Sequence, residues 1–572
     1  MASASARSEQ AAPHEGDSSA LRAAAVCVAF PTVVHTLLFD LVQGTPRFLA
    51  AAQSPPNADA LSIADRVRAS LAMLGSETGR QLLQDGNLIT PRHPSGDGVD
   101  LLVMTGLPLQ PFTACIVPLD DDPTLPHLLR NALQRAPTAV AHAPANSSSP
   151  TLRAWLREHR PDVLVMTSST VTPPHLDACR EGIYELIGYA MPPALGLVIA
   201  PDAVQRALAD EFGATLELVG VDPSVYPPPA IATAIAKEMR ERYRQAARSQ
   251  LAPLTPFPPP IIDLLEAIER AASFIYRRTN TPTLVISATA GLSIALAAEG
   301  HLRLRYWADR DMSAEALAFL TESASEITRW LPWSMRSDEL TEWVLNRTVR
   351  LAAQLIDERD CAIAAAGIRV LLQRALHDLD TPPPLPVQLI CCDPALYALG
   401  PALATLTLLD SCQPAPAGGR VTLAFDDVYA LPALGALAAI APAYAAAALE
   451  EDGLLPLAEC LVLNEPLSQP GTLAVRGQLV QGQARRQFSL PQGSLLRLPL
   501  EGTEPVTLSL QPAPGLTAPL PTLSEPLTPP WPALGVILDA RGRPIPLATE
   551  PEQRRTQLAS WLTDVTAGES EA

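Results

Sequence analysis

Lysine is all but missing from this 572-residue chain: Lys237 is the only one, and arginine supplies the other basic side chains. A mechanism that sets an ammonium on a phosphate or forms a Schiff base would have to use Lys237. That residue sits in the run 233–243, which reads as an exposed charged helix, so neither chemistry is expected of it. Basic charge is scarce as a whole. Lys and Arg total 41 against 60 Asp and Glu, a net charge of −19. Nucleic acid demands a basic face, so no nucleic-acid partner is expected. Arg240, Arg244 and Arg248 recur every four residues, with Arg242 nearby. They would share one helix face, and the expected reading is a solvated one.

Paired cysteine spacing is missing too. The eight cysteines are scattered with no C-x-x-C, which argues against a zinc site or a disulfide framework. Cys391 and Cys392 stand in an apolar strand-like run and read as core thiols rather than a redox pair. No apolar run reaches the roughly 20 residues that cross a bilayer, so no membrane partner is expected. Arg22 with the run 23–30 only faintly resembles a signal peptide and continues as a strand pattern; a cytoplasmic protein is expected. There is no G-x-S-x-G, no H-E-x-x-H and no P-loop.

The chain has the material for several folded cores: 48% of its residues are hydrophobic. The stretch from Ala25 to Asp40 reads as two strands joined by a tight turn. Such a hairpin is a common phosphate-binding scaffold. It would need glycines for close approach, hydroxyls or a lysine for the phosphate, and a carboxylate for the metal. The turn Phe30-Pro31-Thr32-Val33 supplies none of the three in that arrangement.

The periodicities predict a three-stranded meander over 24–52, a helix at 63–74 and a buried strand at 99–105. Strands and helices alternate from 152 to 221, which means βαβ units and a mostly parallel sheet. A second meander follows at 283–307. The domain reading is a disordered tail at 1–22, a first α/β lobe at 23–250 and a proline-rich linker at 251–260. A second α/β lobe covers 261–448, an antiparallel β domain 449–548, and a terminal helix and tail 549–572. Asp120-Asp121-Asp122 reads as a solvated acidic loop. Asp426-Asp427, at a strand end, reads as a cap for the next element.

Several segments are similar to one known family. Ile327-Thr328-Arg329-Trp330-Leu331-Pro332-Trp333, Leu408-Leu409-Asp410-Ser411-Cys412-Gln413-Pro414 and Gly535-Val536-Ile537-Leu538-Asp539-Ala540-Arg541-Gly542-Arg543-Pro544 resemble the signature of the glutamate mutase L (MutL) proteins. So do Asp40-Leu41-Val42-Gln43-Gly44, Thr78-Gly79-Arg80-Gln81 and Glu451-Asp452-Gly453. The resemblance implies the two-lobe fold of actin, sugar kinases and heat-shock ATPases, here with a C-terminal antiparallel β domain. It also implies an association with cobalamin-dependent mutase and a nucleotide held between the lobes.

At each turn that would hold the nucleotide, this chain departs from the family pattern. In the first loop, Asp-x-Gly-Thr-x-x-Thr-Lys, the Asp position is Val28, the Gly is Phe30, the first Thr is Pro31, the second is Val34 and the Lys is His35. A Gly-Gly-Thr-Asp-Gly-Gly turn falls on Ser168-Ser169-Thr170 and the three residues after them. The second-lobe turn falls on Ile286, Ala288, Thr289, Ala290 and Gly291, with Ile286 at the Asp position. A Gly-rich turn falls on Ile390-Cys391-Cys392-Asp393. Each change removes a donor, a charge or backbone freedom. The expectation is a non-catalytic pseudo-ATPase with no cofactor, acting on a protein partner: a mutase or a MutL-like paralogue. Two readings stay open beside it. One is an active ATP-dependent chaperone with rebuilt loops, which would use ATP and magnesium. The other is a structural scaffold that docks through its β domain.

Overall fold

The apolar run that follows Arg22 becomes the centre of a sheet. Strand β1 (Ala23–Ala29) is buried along its whole length, as a strand covered on both faces must be. It pairs antiparallel with β2 (Val34–Val42), which pairs with β3 (Thr45–Gln53). Helix α1 (Ile63–Thr78) starts at Ser62, whose side chain accepts from the Asp65 amide, and stops at left-handed Gly79. The chain then returns as β4 (Leu101–Gly106), parallel to β1, and the sheet order is β3-β2-β1-β4. These are features of a computed structural model. It describes residues 21–55, 62–144, 147–170, 173–251, 259–308, 317–349, 357–379, 387–391, 396, 398–412, 419–452, 454–463, 469–514, 520–523 and 525–566. Most of the expected tail and linker lies outside them.

A second sheet occupies the rest of 23–250, where one lobe was expected. Strand β5 (Phe112–Pro118), α2 (Thr124–Leu133), β6 (Thr138–His142), α3 (Ser149–His159), β7 (Val163–Thr167), α4 (Pro173–Gly188), β8 (Leu195–Ile199), α5 (Asp202–Phe212), β9 (Leu218–Val221) and α6 (Pro228–Leu251) alternate without interruption. All five strands are parallel, in the order β9-β8-β7-β5-β6. Leu129 of α2 and Ile235 and Met239 of α6 pack on one face. Leu156, Ile183 and Leu208 of α3, α4 and α5 pack on the other. This is a doubly wound unit inserted between β4 and the second lobe.

The second lobe repeats the first. Helix α7 (Leu264–Thr279) leads to the meander β10 (Thr283–Ser287), β11 (Leu292–Ala298) and β12 (His301–Trp307). Three helices follow, α8 (Leu317–Glu322), α9 (Ala324–Thr328) and α10 (Ser337–Val349), and then the long α11 (Glu358–His377). Strand β13 (Val387–Cys391) runs parallel to β10. Next come α12 (Pro401–Cys412), β14 (Gly419–Phe425), α13 (Ala430–Leu437) and α14 (Pro442–Asp452). The sheet opens β12-β11-β10-β13-β14, the first lobe's order plus one strand. The chain is thus a two-lobe α/β protein, as expected. Helices α7 and α13 of the second lobe cross, and α13 packs on β1 and β4 of the first lobe. A Cβ on Gly435 would lie 2.0 Å from the Ala267 carbonyl oxygen, so only glycine permits that approach.

Residues 449–548 divide between two sheets. Strand β15 (Leu455–Val462) extends the second-lobe sheet antiparallel to β14. Strands β16 (Leu473–Gln481), β17 (Ala484–Pro491) and β19 (Val506–Pro512) form a separate antiparallel sheet in the order β17-β16-β19. Strand β18 (Leu495–Leu498) and β20 (Val536–Asp539) return to the large sheet, β20 parallel to β15. The run 535–547, which reads as a hairpin, is therefore a single inserted strand and a loop. Helix α15 (Pro551–Thr566) closes the described chain.

A buried ion network ties these pieces together. Arg541 is fully buried and reaches Asp410 of α12 at 2.7 Å and Asp539 of β20 at 2.9 Å. Arg369 of α11 pairs with Asp410 at 2.8 Å, and Arg543 with Asp539 at 2.7 Å. Trp561 lies 4.9 Å from the Arg541 guanidinium and Trp330 5.2 Å from that of Arg369. Burial alone would raise the Asp539 carboxyl; Arg541 and Arg543 outweigh it and hold it well below the usual range. Removing the shared cation by Arg541→Met is expected to cost about 3–5 kcal/mol, read from the denaturation midpoint, because two buried carboxylates lose a partner. The folded carboxyl of Asp539 titrates below its unfolded value. Its contribution is therefore full above about pH 4 and is lost as pH falls further.

Candidate functional site: the junction between the lobes

The two meander turns and the end of β13 lie at the same end of their sheets, so they face one another across the junction. Strand register pairs Val28 with His35 in the first lobe, and Ile286 with Ile294 and Cys391 in the second. The residue that joins the two sides is Tyr429, just before α13. It holds a left-handed backbone, φ 62°, uncommon for a bulky side chain. Its ring lies 5.3 Å from Phe30 and 4.7 Å from His35, centroid to centroid. Its hydroxyl is 2.8 Å from the Thr289 hydroxyl in the opposite turn. Tyr429 therefore spans from one loop to the other.

The expected loop positions separate by the face they present. Val28, Phe30 and Ile390 fall in one apolar core with Tyr429, Ile268, Val285 and Leu431, drawn from both lobes. Phe30 is only 1% exposed, and Val28 is wholly buried. Val34 packs against α1 on the outer face of its sheet, and Ile286 into the second-lobe core with Ala288 against it. Pro31 is half-buried, and its carbonyl accepts from the Arg66 guanidinium. The side chain of Cys391 and all of Cys392 and Asp393 lie outside the described residues. Cys27, Cys115, Cys179 and Cys412 are buried, and burial pushes each thiol up to about 12.

His35 is partly buried but bonds no partner among the described residues; the face of Tyr429 lies against it. Burial lowers its imidazole to about 4, so it is neutral at pH 7. The lobes are further pinned by Arg47, which forks onto Asp452 through two 2.7 Å contacts, while the Phe48 amide donates to the same carboxylate at 2.9 Å.

Ser168, Ser169 and Thr170 do not join this junction. They follow β7, at the carboxyl edge of the inserted sheet. One oxygen of Asp120, Oδ2, accepts from the Ser169 amide, the Ser169 hydroxyl at 2.9 Å and the Thr170 amide at 3.0 Å. Asp120 is thus buried and organising, a correction to the solvated loop expected there. Its carboxylate sits where a turn of backbone amides would hold an outside anion. Asp426 does cap the next element: it accepts from the Ala430 and Leu431 amides at 2.7 Å each. Arg240 and Arg244 are likewise not a solvated face. They pair with Glu269 and Glu266 of α7 at 3.2 and 3.3 Å. Tyr429 is the residue that sequence reasoning missed. Its one local signal is its place between the Asp426 cap and α13.

No family model matches the chain, and no curated protein does. Among solved structures it is similar to a Ppx/GppA family member of Aquifex aeolicus at 9% identity, covering 65% of this chain and 66% of that one, TM-score 0.17. The chain spans just under two thirds of that protein's length. A ROK family glucokinase from Streptomyces griseus matches at 12% identity over 75% of this chain and 98% of its own, TM-score 0.24. A carbohydrate kinase from Novosphingobium aromaticivorans matches at 13% over 76% and 96%, TM-score 0.24. The two-lobe description rests on the repeated strand order itself. Among the described residues no helix is long and apolar enough to cross a membrane, and no group of acidic, histidine or cysteine side chains could hold a metal ion.

Two outcomes test this geometry. Burial lowers the His142 imidazole to about 4 as well. Unfolded imidazoles titrate near 6.5. As pH falls from about 6.5 to 4, the unfolded chain therefore takes up protons that the folded chain refuses, and stability declines over that window. His35→Gln together with His142→Gln should flatten the slope of denaturation midpoint against pH. Asp120→Ala should cost roughly 1–3 kcal/mol, since the Ser169 and Thr170 amides lose their acceptor. Hydrogen exchange at those two amides should then rise.

Proposed function

We propose that this chain is a MutL-like pseudo-ATPase: a two-lobe protein that keeps the ATPase scaffold, binds no nucleotide at the junction, and acts through contact with a protein partner. The partner class that fits the resemblance is a cobalamin-dependent mutase or an intact MutL-like paralogue. The observation that carries the reading is the Phe30–Tyr429–His35 cluster. It puts aromatic rings and an apolar core where phosphates and a hydrated metal would need glycine backbone and carboxylates. The role would be assembly, reactivation or regulation of that partner, without turnover of its own.

A second observation supports the same reading. The polar residues in the matched motifs bond to one another or to the scaffold rather than to open space. Asp40 takes Arg80 at 2.6 Å and Arg92 at 3.1 Å, and Asp410 takes Arg541. The resemblance is therefore carried by residues that hold the fold, which a silent relative would retain.

Purified full-length chain is expected to show ATP hydrolysis no faster than the buffer blank. Amide exchange across β1 and β10 should be unchanged by magnesium and ATP. Steady turnover, or altered protection at those strands, would overturn the proposal. Co-elution with a cobalamin-dependent glutamate mutase or a MutL-like paralogue is expected on gel filtration of the mixed proteins. Separate elution from both would remove the partner assignment.

A further inference from the structure

One concavity differs in character from the aromatic junction. A cavity of about 880 Å³ lies in the seam where α6 of the inserted unit faces α7, α14 and the turn between β11 and β12. Its size is that of a small-molecule site. Six cationic side chains line it: Arg135, Lys237, Arg240, Arg244, Arg270 and Arg277. Glu266 and Glu269 are the only carboxylates in the lining. In a chain of net charge −19, this is a strong local reversal of sign.

The two carboxylates are already committed. Glu269 pairs with Arg240 at 3.2 Å; Glu266 pairs with Arg270 at 2.7 Å and Arg244 at 3.3 Å. Arg244 also lies 3.5 Å from Glu241 and 3.9 Å from Asp263, so those pairs fix the cavity wall and the surplus rests on the other cations. Arg135, Lys237 and Arg277 form no ion pair among the described residues. Lys237 is exposed, and so is Arg277, whose Nε donates to the Ser273 carbonyl at 3.2 Å. Beneath the charges lies an apolar floor that includes Phe274, Leu434, Ala438 and Leu449. Gly435 and the alanines beside it keep that floor low.

From this arrangement we infer that the seam is a binding site for an organic pyrophosphate with a flat apolar body, the chemistry of a nucleoside diphosphate. Arginine forks suit phosphate oxygens, and Lys237 adds a mobile point charge. The apolar floor receives the body. The site lies outside the junction loops and uses none of them, so it stands or falls apart from the pseudo-ATPase reading. It also gives the single lysine of the chain a role without covalent chemistry. Because the inserted unit and the second lobe both supply the wall, the ligand would tie α6 to α7.

Calorimetry on the full chain without magnesium tests it, with ADP, inorganic pyrophosphate and adenosine as probes. ADP is expected to bind at least tenfold more tightly than either of the others, and to weaken as salt is raised. Lys237→Glu and, separately, Arg135→Glu should each raise the ADP dissociation constant tenfold or more. Lys237→Arg should largely restore it. The exposed position of Lys237 leaves the fold intact, which a melting curve of each variant checks. Absence of ADP binding, or binding indifferent to both charge reversals, overturns the inference. So does tight binding of an acidic amphipathic peptide that ADP fails to displace, which would make the seam a protein groove.

Discussion

Phe30 and Tyr429 meet in an apolar core to which both lobes contribute, and the rest of the architecture is arranged around that contact. Where two lobes enclose a polar ligand, each sheet must end in backbone that approaches the ligand closely. Here each sheet ends in side chains that approach the other sheet instead. Val28 and Phe30 extend the first-lobe sheet inward, Val285 and Ile390 do the same from the second, and α7 and α13 cross closely enough to require Gly435. The left-handed backbone of Tyr429 is strained for a bulky side chain. It persists because the ring is fixed by Phe30 and His35 and the hydroxyl by Thr289.

The ionic groups serve the same end elsewhere. Asp40 with Arg80 and Arg92, Arg47 with Asp452, and Arg541 between Asp410 and Asp539 each join segments far apart in the chain. The Arg47 pair is half-exposed; the pairs made by buried Asp40 and Arg541 add little net stability over apolar packing but are costly to break singly. They therefore define which segments meet more than how strongly.

Local pattern made some of this legible and left the rest dark. The meander strands show because β1 is uninterruptedly apolar and tight turns punctuate it, and the same pattern recurs at β10–β12. The apolar character of the Phe30 turn is legible residue by residue. Strands β5 and β6 are not: Phe112–Pro118 opens half-buried and closes on a proline, and Thr138–His142 has only five residues and is half-buried after Thr138. The split of 449–548 depends on β20 pairing with β15 across an intervening three-stranded sheet, which no local period encodes. Asp120 reads as solvent-facing by composition because its partners, Ser169 and Thr170, come about fifty residues later. Arg240 and Arg244 mislead in the same way, since their carboxylates lie beyond the linker.

Magnitudes decide whether the junction could still open for a nucleotide. Parting the lobes would return Val28, Phe30, Ile390 and Tyr429 to water. At about 1.5–3 kcal/mol for each large apolar side chain, the four together oppose opening by roughly 6–12 kcal/mol. A ligand bound at micromolar strength supplies about 8 kcal/mol in total. Nearly all of that would go into separating the lobes. The surface thus exposed would be apolar at Val28 and at Ile286, and it would offer a polar ligand little in return. In a loop pair built on glycines the balance would run the other way, because the cleft stays wet and nothing apolar has to be uncovered. Val28, Phe30 and His35 therefore act together: the first two fill the apolar core shared by the lobes and the third packs on Tyr429, and each strengthens the closed state.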